Sequence, residues 1–140
     1  MGLDLHPARP ATSDEQDYWG NWYYEPNWPH PQWSYGGFSR FRERLAKTEG
    51  FDLDEMRGFG GTREWDTVST ELEPLLNHSD CDGEMSPADC LRVYPRLEQV
   101  IADWKARADA ADYYYDVRSG EALVAAMKLV ATRHLTLIFR

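Results

Sequence analysis

The 140-residue chain has no long apolar run, few cysteines and few basic residues. No stretch of about 18 consecutive apolar residues occurs, so the sequence predicts no membrane-spanning helix. Residues 1–7 lack the basic and apolar regions of a secretory signal peptide. We therefore expect a cytoplasmic protein whose two cysteines, Cys81 and Cys90, are reduced.

Positive charge is also scarce, because 15 Lys and Arg residues face 24 Asp and Glu residues and leave a net charge of −9. Nucleic-acid backbones are held by basic side chains that release counterions, so this balance argues against a general nucleic-acid binder. The acidic residues are dispersed among basic ones, which also disfavours mimicry of DNA. The expected partner is a small molecule or another protein.

Aromatic residues, in contrast, are abundant, with six Trp, eight Tyr and five Phe. Many of them lie in residues 7–33 together with five prolines. Proline has no backbone donor and interrupts regular structure, so we interpret 7–33 as an aromatic, Pro-rich loop added to one domain spanning 1–140. Two roles stay open for this loop: a flap packed over the core, or a platform for a ligand.

The hydrophobic pattern predicts an α+β fold, mainly helical, in which the two termini form a small sheet. Residues 1–5 alternate in character, and 134–139 carry the strongest strand pattern. Helical periods occur between them, at 38–45, 67–77, 87–105 and 106–133. Pro74 is expected to break, kink or start its helix, and Pro95 is expected to bend its helix or remove the first turns. Three adjacent tyrosines at 113–115 cannot share one helical face, so at least one should be exposed.

One candidate binding segment begins at Trp33 and leads into a helix whose inward face is Phe38, Phe41 and Leu45. Glycines before a helix can expose backbone N–H groups to an anion, and arginines follow them here. The ligand-binding residues predicted in this segment are Trp33, Tyr35, Gly36, Gly37, Arg40 and Arg42. The alternative is an ordinary amphipathic helix with solvated arginines.

A second candidate is the segment 77–90, which resembles a degenerate EF-hand loop. With Gly83 at the sixth loop position, Asp80 and Asp82 fall at the third and fifth ligand positions. His78 then replaces the first acidic ligand, and Asp89 replaces the bidentate Glu at the end. The sequence therefore predicts, at best, a weak divalent-cation site formed by His78, Asp80, Asp82 and Asp89. Ser86-Pro87 is typical of a helix start.

Two other interpretations of this segment stay open. Its polar residues His78, Asp80, Asp82 and Glu84 are candidates for the wall of a pocket that receives a ligand. Alternatively, the acids and Ser79 form a structural turn by accepting from backbone N–H groups.

Catalysis is less expected than binding. A Cys nucleophile activated by His78, or acid–base chemistry by Asp80 and Asp82, has the right residue types. However, no phosphate-binding loop, nucleophile elbow or dinucleotide fingerprint is present. A zinc site that combines both cysteines with His78 and His6 matches none of the common ligand spacings.

Four strings together resemble a family of small uncharacterised proteins from bacteriophages and their bacterial hosts. These strings are Met1-Gly2-Leu3-Asp4, Trp33 to Phe38, His78 to Glu84, and Asp89-Cys90. The resemblance covers most of the chain except residues 7–32, and it implies a phage or prophage context without a mechanism. In that context we expect a non-enzymatic protein that captures a host small molecule, for which a nucleotide immune signal is one candidate. The alternative is an inhibitor that binds a host protein through exposed aromatics.

Overall fold

A computed structural model describes residues 2–15, 21–26, 31–79, 82–107 and 109–140 of the chain. These residues form five β-strands and four α-helices. The strands are β1 (Gly2–Pro10), β2 (Trp22–Tyr24), β3 (Gln32–Ser34), β4 (Gly83–Met85) and β5 (Thr136–Phe139). The helices are α1 (Tyr35–Thr48), α2 (Glu73–Leu76), α3 (Pro87–Lys105) and α4 (Tyr114–Arg133). The predicted α+β class, mainly helical with a small antiparallel sheet, is confirmed.

The two ends of the chain pair in this sheet. β1 runs antiparallel to β5, with Leu5 opposite Phe139 and Ala8 opposite Thr136. Asp4 and Arg140 continue the ladder by exchanging backbone hydrogen bonds. β4 then lies on the other edge of β5. The predicted terminal sheet is thus confirmed, but its register lies further along β1 than the predicted strand 1–5.

The prolines of residues 7–33 predict a loop, but the structure shows that this range also contains strand residues. Residues 7–10 complete β1, while β2 pairs with its C-terminal end and β3 with its N-terminal end. Strand formation survives because Pro10 ends β1 and Pro7 contributes its carbonyl, which accepts from Glu25 N–H at 2.9 Å. Residues 16–20 and 27–30 lie outside the described part, so the role of their aromatics stays a prediction.

The helices cover one face of the sheet. Leu3, Leu5, Leu137 and Phe139 point into this core, where α1 buries its predicted stripe of Phe38, Phe41 and Leu45. The two long helices α3 and α4 pack closely at Gly120, where an added Cβ would lie only 2.4 Å from Ile101 Cδ1.

Two predicted helices change at their ends. Of the predicted helix 67–77, only the four residues of α2 are helical. The expected interruption at Pro74 is confirmed as a helix start, because proline cannot donate to an earlier carbonyl and is accommodated in the first turn. The helix predicted for 106–133 begins later, with a 3₁₀ turn at Ala110–Tyr113 before α4. The helix predicted for 87–105 is confirmed as α3, which runs through Pro95.

The prediction for the tyrosine run is confirmed, because Tyr114 is 57% and Tyr115 78% exposed. Among the residues placed in the structure, no helix combines the length and apolar character needed to cross a membrane.

Candidate functional site

A groove of about 960 Å³ opens where the N-terminal ends of α1 and α4 meet β1 and β3. This volume is at the upper end of the range of roughly 300–1,000 Å³ that is typical of small-molecule sites. The groove is lined by Gly2, Asp4, Gln32, Trp33, Ser34, Gly37, Arg40, Arg44, Ala111, Asp112, Tyr114, Tyr115, Asp116 and Ser119.

The first turn of α1 forms one end of the groove. Ser34 caps this helix, and its hydroxyl oxygen accepts from Gly37 N–H at 2.9 Å. The sequence predicts that Gly36 and Gly37 precede the helix, but in the structure both lie inside its first turn. No acidic side chain occupies that turn, so the partial positive charge of the helix end is not neutralised locally.

The Arg40 guanidinium lies above this turn. Its guanidinium Nη1 lies 3.4 Å from the position that a Cβ on Gly36 would occupy, and Nη2 lies 4.0 Å from that of Gly37. Arg40 is exposed, and no hydrogen bond or ion pair joins its side chain to any residue in the described ranges. The helix end and Arg40 therefore place positive charge on the same side of the groove.

The opposite wall is fixed by contacts from α4. Arg44, one turn after Arg40, forms an ion pair with Asp116, whose side chain is only 9% exposed. The same guanidinium lies over the Tyr113 ring at 4.9 Å from its centroid. Ser119 Oγ donates to the Gln32 carbonyl at 3.2 Å. These contacts hold α4 against α1 and β3 and so define the groove.

Two rings and two carboxylates complete the groove. The exposed rings of Tyr114 and Tyr115 meet edge to face, with centroids 5.7 Å apart and planes at 77°. The carboxylates of Asp4 and Asp112 also line the groove, and neither has a side-chain partner within the described residues. The groove therefore combines exposed aromatic faces with a guanidinium and carboxylates that have no side-chain partner among the described residues.

Trp33 contributes an edge rather than a face. The residue is 7% exposed, and its ring stacks on Phe41 with centroids 4.7 Å apart. Its Cδ1 lies 3.6 Å from the Cβ position of Gly37, so the nitrogen-bearing edge of the indole faces the first turn of α1. Nε1 is buried without a hydrogen-bond partner in the part of the chain that is described.

Arg42 does not line the groove. It is 3% exposed and donates to the carbonyl oxygens of Leu76 and His78. Its guanidinium also lies over the rings of Phe38 and Phe59, at 4.8 and 5.2 Å from their centroids. Arg42 thus connects α1 to the segment after α2.

In the segment after α2, the His78 side chain packs on β5 and contacts β4. Its ring stacks on Phe139 with centroids 3.9 Å apart, and its Nε2 lies 3.0 Å from the Glu84 carbonyl oxygen. Nδ1 lies 2.9 Å from the Ser79 carbonyl oxygen. In an EF-hand, the carbonyl at the position of Glu84 would bind the cation. Here the Glu84 carbonyl oxygen is in contact with His78 Nε2 instead.

Other polar groups near His78 also form hydrogen bonds with their neighbours in the chain. Asp82 accepts from Ser79 Oγ at 2.8 Å, and Ser86 Oγ caps α3 by accepting from Asp89 N–H at 3.1 Å. Gly83, the first residue of β4, adopts a φ of 104°, a conformation that favours glycine. The described part of this loop is therefore stabilised by its own hydrogen bonds.

The predicted metal and thiol chemistry finds no support in this region. Among the residues that the structure describes, no three His, Cys, Asp or Glu side chains are grouped to hold a metal ion. Asp80 and Cys81 lie outside these residues, so the set of His78, Asp80, Asp82 and Asp89 stays a prediction. Burial raises the pKa of the Cys90 thiol to about 12, so Cys90 is protonated at neutral pH and is a poor nucleophile.

The predicted binding residues thus divide between two regions. Trp33, Gly37 and Arg40 line the groove, and Gly36 lies beneath the Arg40 guanidinium. The others that the structure describes do not line it: Tyr35, Arg42, His78, Asp82 and Glu84. The sequence did not predict that residues of α4 line the groove. The expected exposure of a tyrosine in the run 113–115 was the one sequence feature that pointed to this region.

No protein-family model, curated protein or solved structure matches the chain, so no role can be transferred from a relative. The groove is therefore the main structural evidence on function.

Proposed function

We propose that this protein binds a small organic anion in the groove and does so without catalysis. The observation that carries the proposal is Arg40, an exposed and unpaired guanidinium among the described residues, placed over a helix N-terminus that has no acid in its first turn. Helix N-termini and arginines are both anion-binding groups. A groove of about 960 Å³ gives such an anion room for a larger organic body.

Binding is favoured over catalysis by the chemistry of the lining. Among the described residues that line the groove there is no Cys or His. Its two serines have structural roles, since Ser34 caps α1 and Ser119 donates to the Gln32 carbonyl. A serine nucleophile would need an adjacent general base. Neither Ser34 nor Ser119 has such a contact in the described residues.

The sequence resemblance implies a phage or prophage context, in which binding of a host small molecule has a biological role. In the cytoplasm of a bacterial host, a protein of this kind captures a host small molecule and keeps it from its receptor. A nucleotide that signals in host immunity is a ligand of suitable chemistry, since phosphate pairs with arginine and a base stacks on tyrosine.

The test is calorimetric titration with inorganic phosphate, ribose 5-phosphate and the four common ribonucleoside monophosphates. Arg40→Ala should weaken binding about 10- to 150-fold, because a hydrogen bond to a charged group contributes about 1.5–3 kcal/mol. Lys47→Ala is the matched control, since Lys47 is an exposed cation in the last turn of the same helix, outside the groove lining. Absence of binding by every probe, or equal affinity in Arg40→Ala, would contradict the proposal.

A second candidate is inhibition of a host protein through Tyr114 and Tyr115. It is favoured by their exposure of 57% and 78%, since exposed tyrosines are frequent anchors at protein interfaces. The two functions differ in the residue that they require. Small-anion binding depends on Arg40, whereas an interface centred on the tyrosines tolerates Arg40→Ala and is lost on Tyr115→Ala.

A further inference from the structure

We infer that the ligand of the groove is a nucleoside monophosphate, with its phosphate at Arg40 and its base against Tyr114 and Tyr115. This inference rests on the proposed function and goes further, because it assigns a chemical group to each end of the groove.

The ring end is formed by the two exposed tyrosines. They begin α4, and Arg118 Nη1 lies 3.4 Å from the Tyr114 hydroxyl, a contact that restrains this ring. Because the two rings meet at 77°, they present surfaces in two directions rather than stacking on each other. Aromatic faces beside a charged groove suit a planar ring, and bases stack on them with little dependence on sequence.

The anion end is formed by the first turn of α1 and by Trp33. Arg40 supplies a full charge beside the helix end, where it has no partner in the residues described. The indole edge of Trp33 abuts Gly37 in this turn, and its buried Nε1–H is a donor whose partner is not among the described groups. A phosphate has several acceptor oxygens and can satisfy donors from different directions.

The carboxylates argue for one phosphate rather than several. Arg44 is neutralised by Asp116, so the remaining charges of the lining are Arg40 against Asp4 and Asp112. The two carboxylates already outnumber the single guanidinium, so each phosphate beyond the first adds negative charge that no further cation of the described lining offsets. Ribose hydroxyls and exocyclic amines are donors that carboxylates accept. A ligand with one phosphate and several donors therefore fits this charge pattern.

The experiment compares ribose 5-phosphate, which lacks a base, with AMP, GMP, CMP and UMP by calorimetry, and compares AMP with ATP to test the number of phosphates. At least one nucleotide should bind roughly 5- to 150-fold more tightly than ribose 5-phosphate, which is the range expected for one stacked base. The gap should close in a Tyr114→Leu/Tyr115→Leu variant and persist in Tyr114→Phe/Tyr115→Phe, which keeps the rings. Leu91→Ala is the control, since Leu91 is 58% exposed on α3, away from the groove.

The outcomes separate the two levels of the proposal. If ribose 5-phosphate binds as tightly as every nucleotide, the assignment of the tyrosines is overturned while anion binding stands. If ATP binds more tightly than AMP, the assignment of a single phosphate is overturned. If no probe binds, the proposed function itself is wrong. Arg40-dependent binding that prefers a monophosphate and requires the rings supports the inference.

Discussion

The groove and the loop 77–85 are both rich in ionisable residues, yet the structure uses them in opposite ways. In the loop, His78 contacts the Glu84 carbonyl, Asp82 accepts from Ser79, and Arg42 donates to the His78 carbonyl. In the groove, Arg40, Asp4 and Asp112 have no side-chain partner within the described residues. A high density of polar residues in a sequence therefore does not by itself identify groups that are available to a ligand. Groups that the fold leaves without partners are better evidence.

This difference predicts that Arg42 and Arg40, two residues apart on one helix, respond in opposite ways to substitution. Arg42→Ala should lower the free energy of unfolding by about 3 kcal/mol, because two carbonyls lose a charged donor in a buried site. Arg40→Ala should change it by less than about 0.5 kcal/mol, because that side chain is exposed. Urea denaturation measures both. Equal losses would contradict the assignment of Arg40 to ligand binding.

A smaller effect is expected at His78. His78→Ala should cost about 1–2 kcal/mol, because it removes the stack on Phe139 and the contact with the Glu84 carbonyl. His78→Phe keeps a ring for stacking and cannot donate, so it should recover part of the loss. Thermal melts give both values, and calorimetry of the folded variants should show unchanged ligand affinity. Loss of affinity with full stability would instead make His78 a ligand-binding residue.

The same residue determines what is expected of calcium. The unmodified chain should bind calcium weakly, on the order of 10⁻⁴ to 10⁻³ M, as poor sites do. His78→Asp together with Asp89→Glu should tighten binding, because the Glu84 carbonyl loses its contact with the ring and the loop gains a charge and a longer arm. Asp89→Glu alone leaves His78 in place and should give no gain. Micromolar binding by the unmodified chain, measured by calorimetry, would show that the loop is a true calcium site.

The smallest expected effect concerns Glu15. Its pKa is lowered from 4.5 to about 2 by the Arg9 guanidinium and then by the N–H and hydroxyl of Thr12. The ionised form is therefore favoured by folding, and its contribution is present above pH 4.5 and lost as pH falls toward 2. Both side chains remain partly exposed to solvent, which screens the pair, so the contribution is small. Melts of Glu15→Gln should lie slightly below those of the parent protein at neutral pH and converge with them in acid.

Much of the fold could be predicted because it depends on local periodicity. The stripe of Phe38, Phe41 and Leu45 on α1 and the alternation of β5 follow from the sequence alone. The separate roles of Arg40 and Arg42 could also have been read from it. Arg42 is four residues after Phe38 and shares its buried face, whereas Arg40 lies on another face.

The groove could not be predicted, because it depends on contacts between distant residues. Arg44 and Asp116 are 72 positions apart, and the Ser119 contact with Gln32 spans 87. No local pattern places Asp116, in the first turn of α4, beside Arg44 of α1. The short strand β4 was hidden for another reason, since the spacing of acids around Gly83 matched a cation loop more closely than it matched a strand.

The most direct test of the central claim is a ¹H–¹⁵N NMR titration of the assigned protein with the tightest-binding nucleoside monophosphate. The account predicts that the amides of Gly36, Gly37, Arg40, Tyr115 and Ser119 shift with ligand concentration, while those of 78–85 do not. In Arg40→Ala, the same shifts should require a roughly 10- to 150-fold higher concentration. Shifts centred on 78–85, with the groove amides unchanged, would contradict the account and return the binding site to the loop.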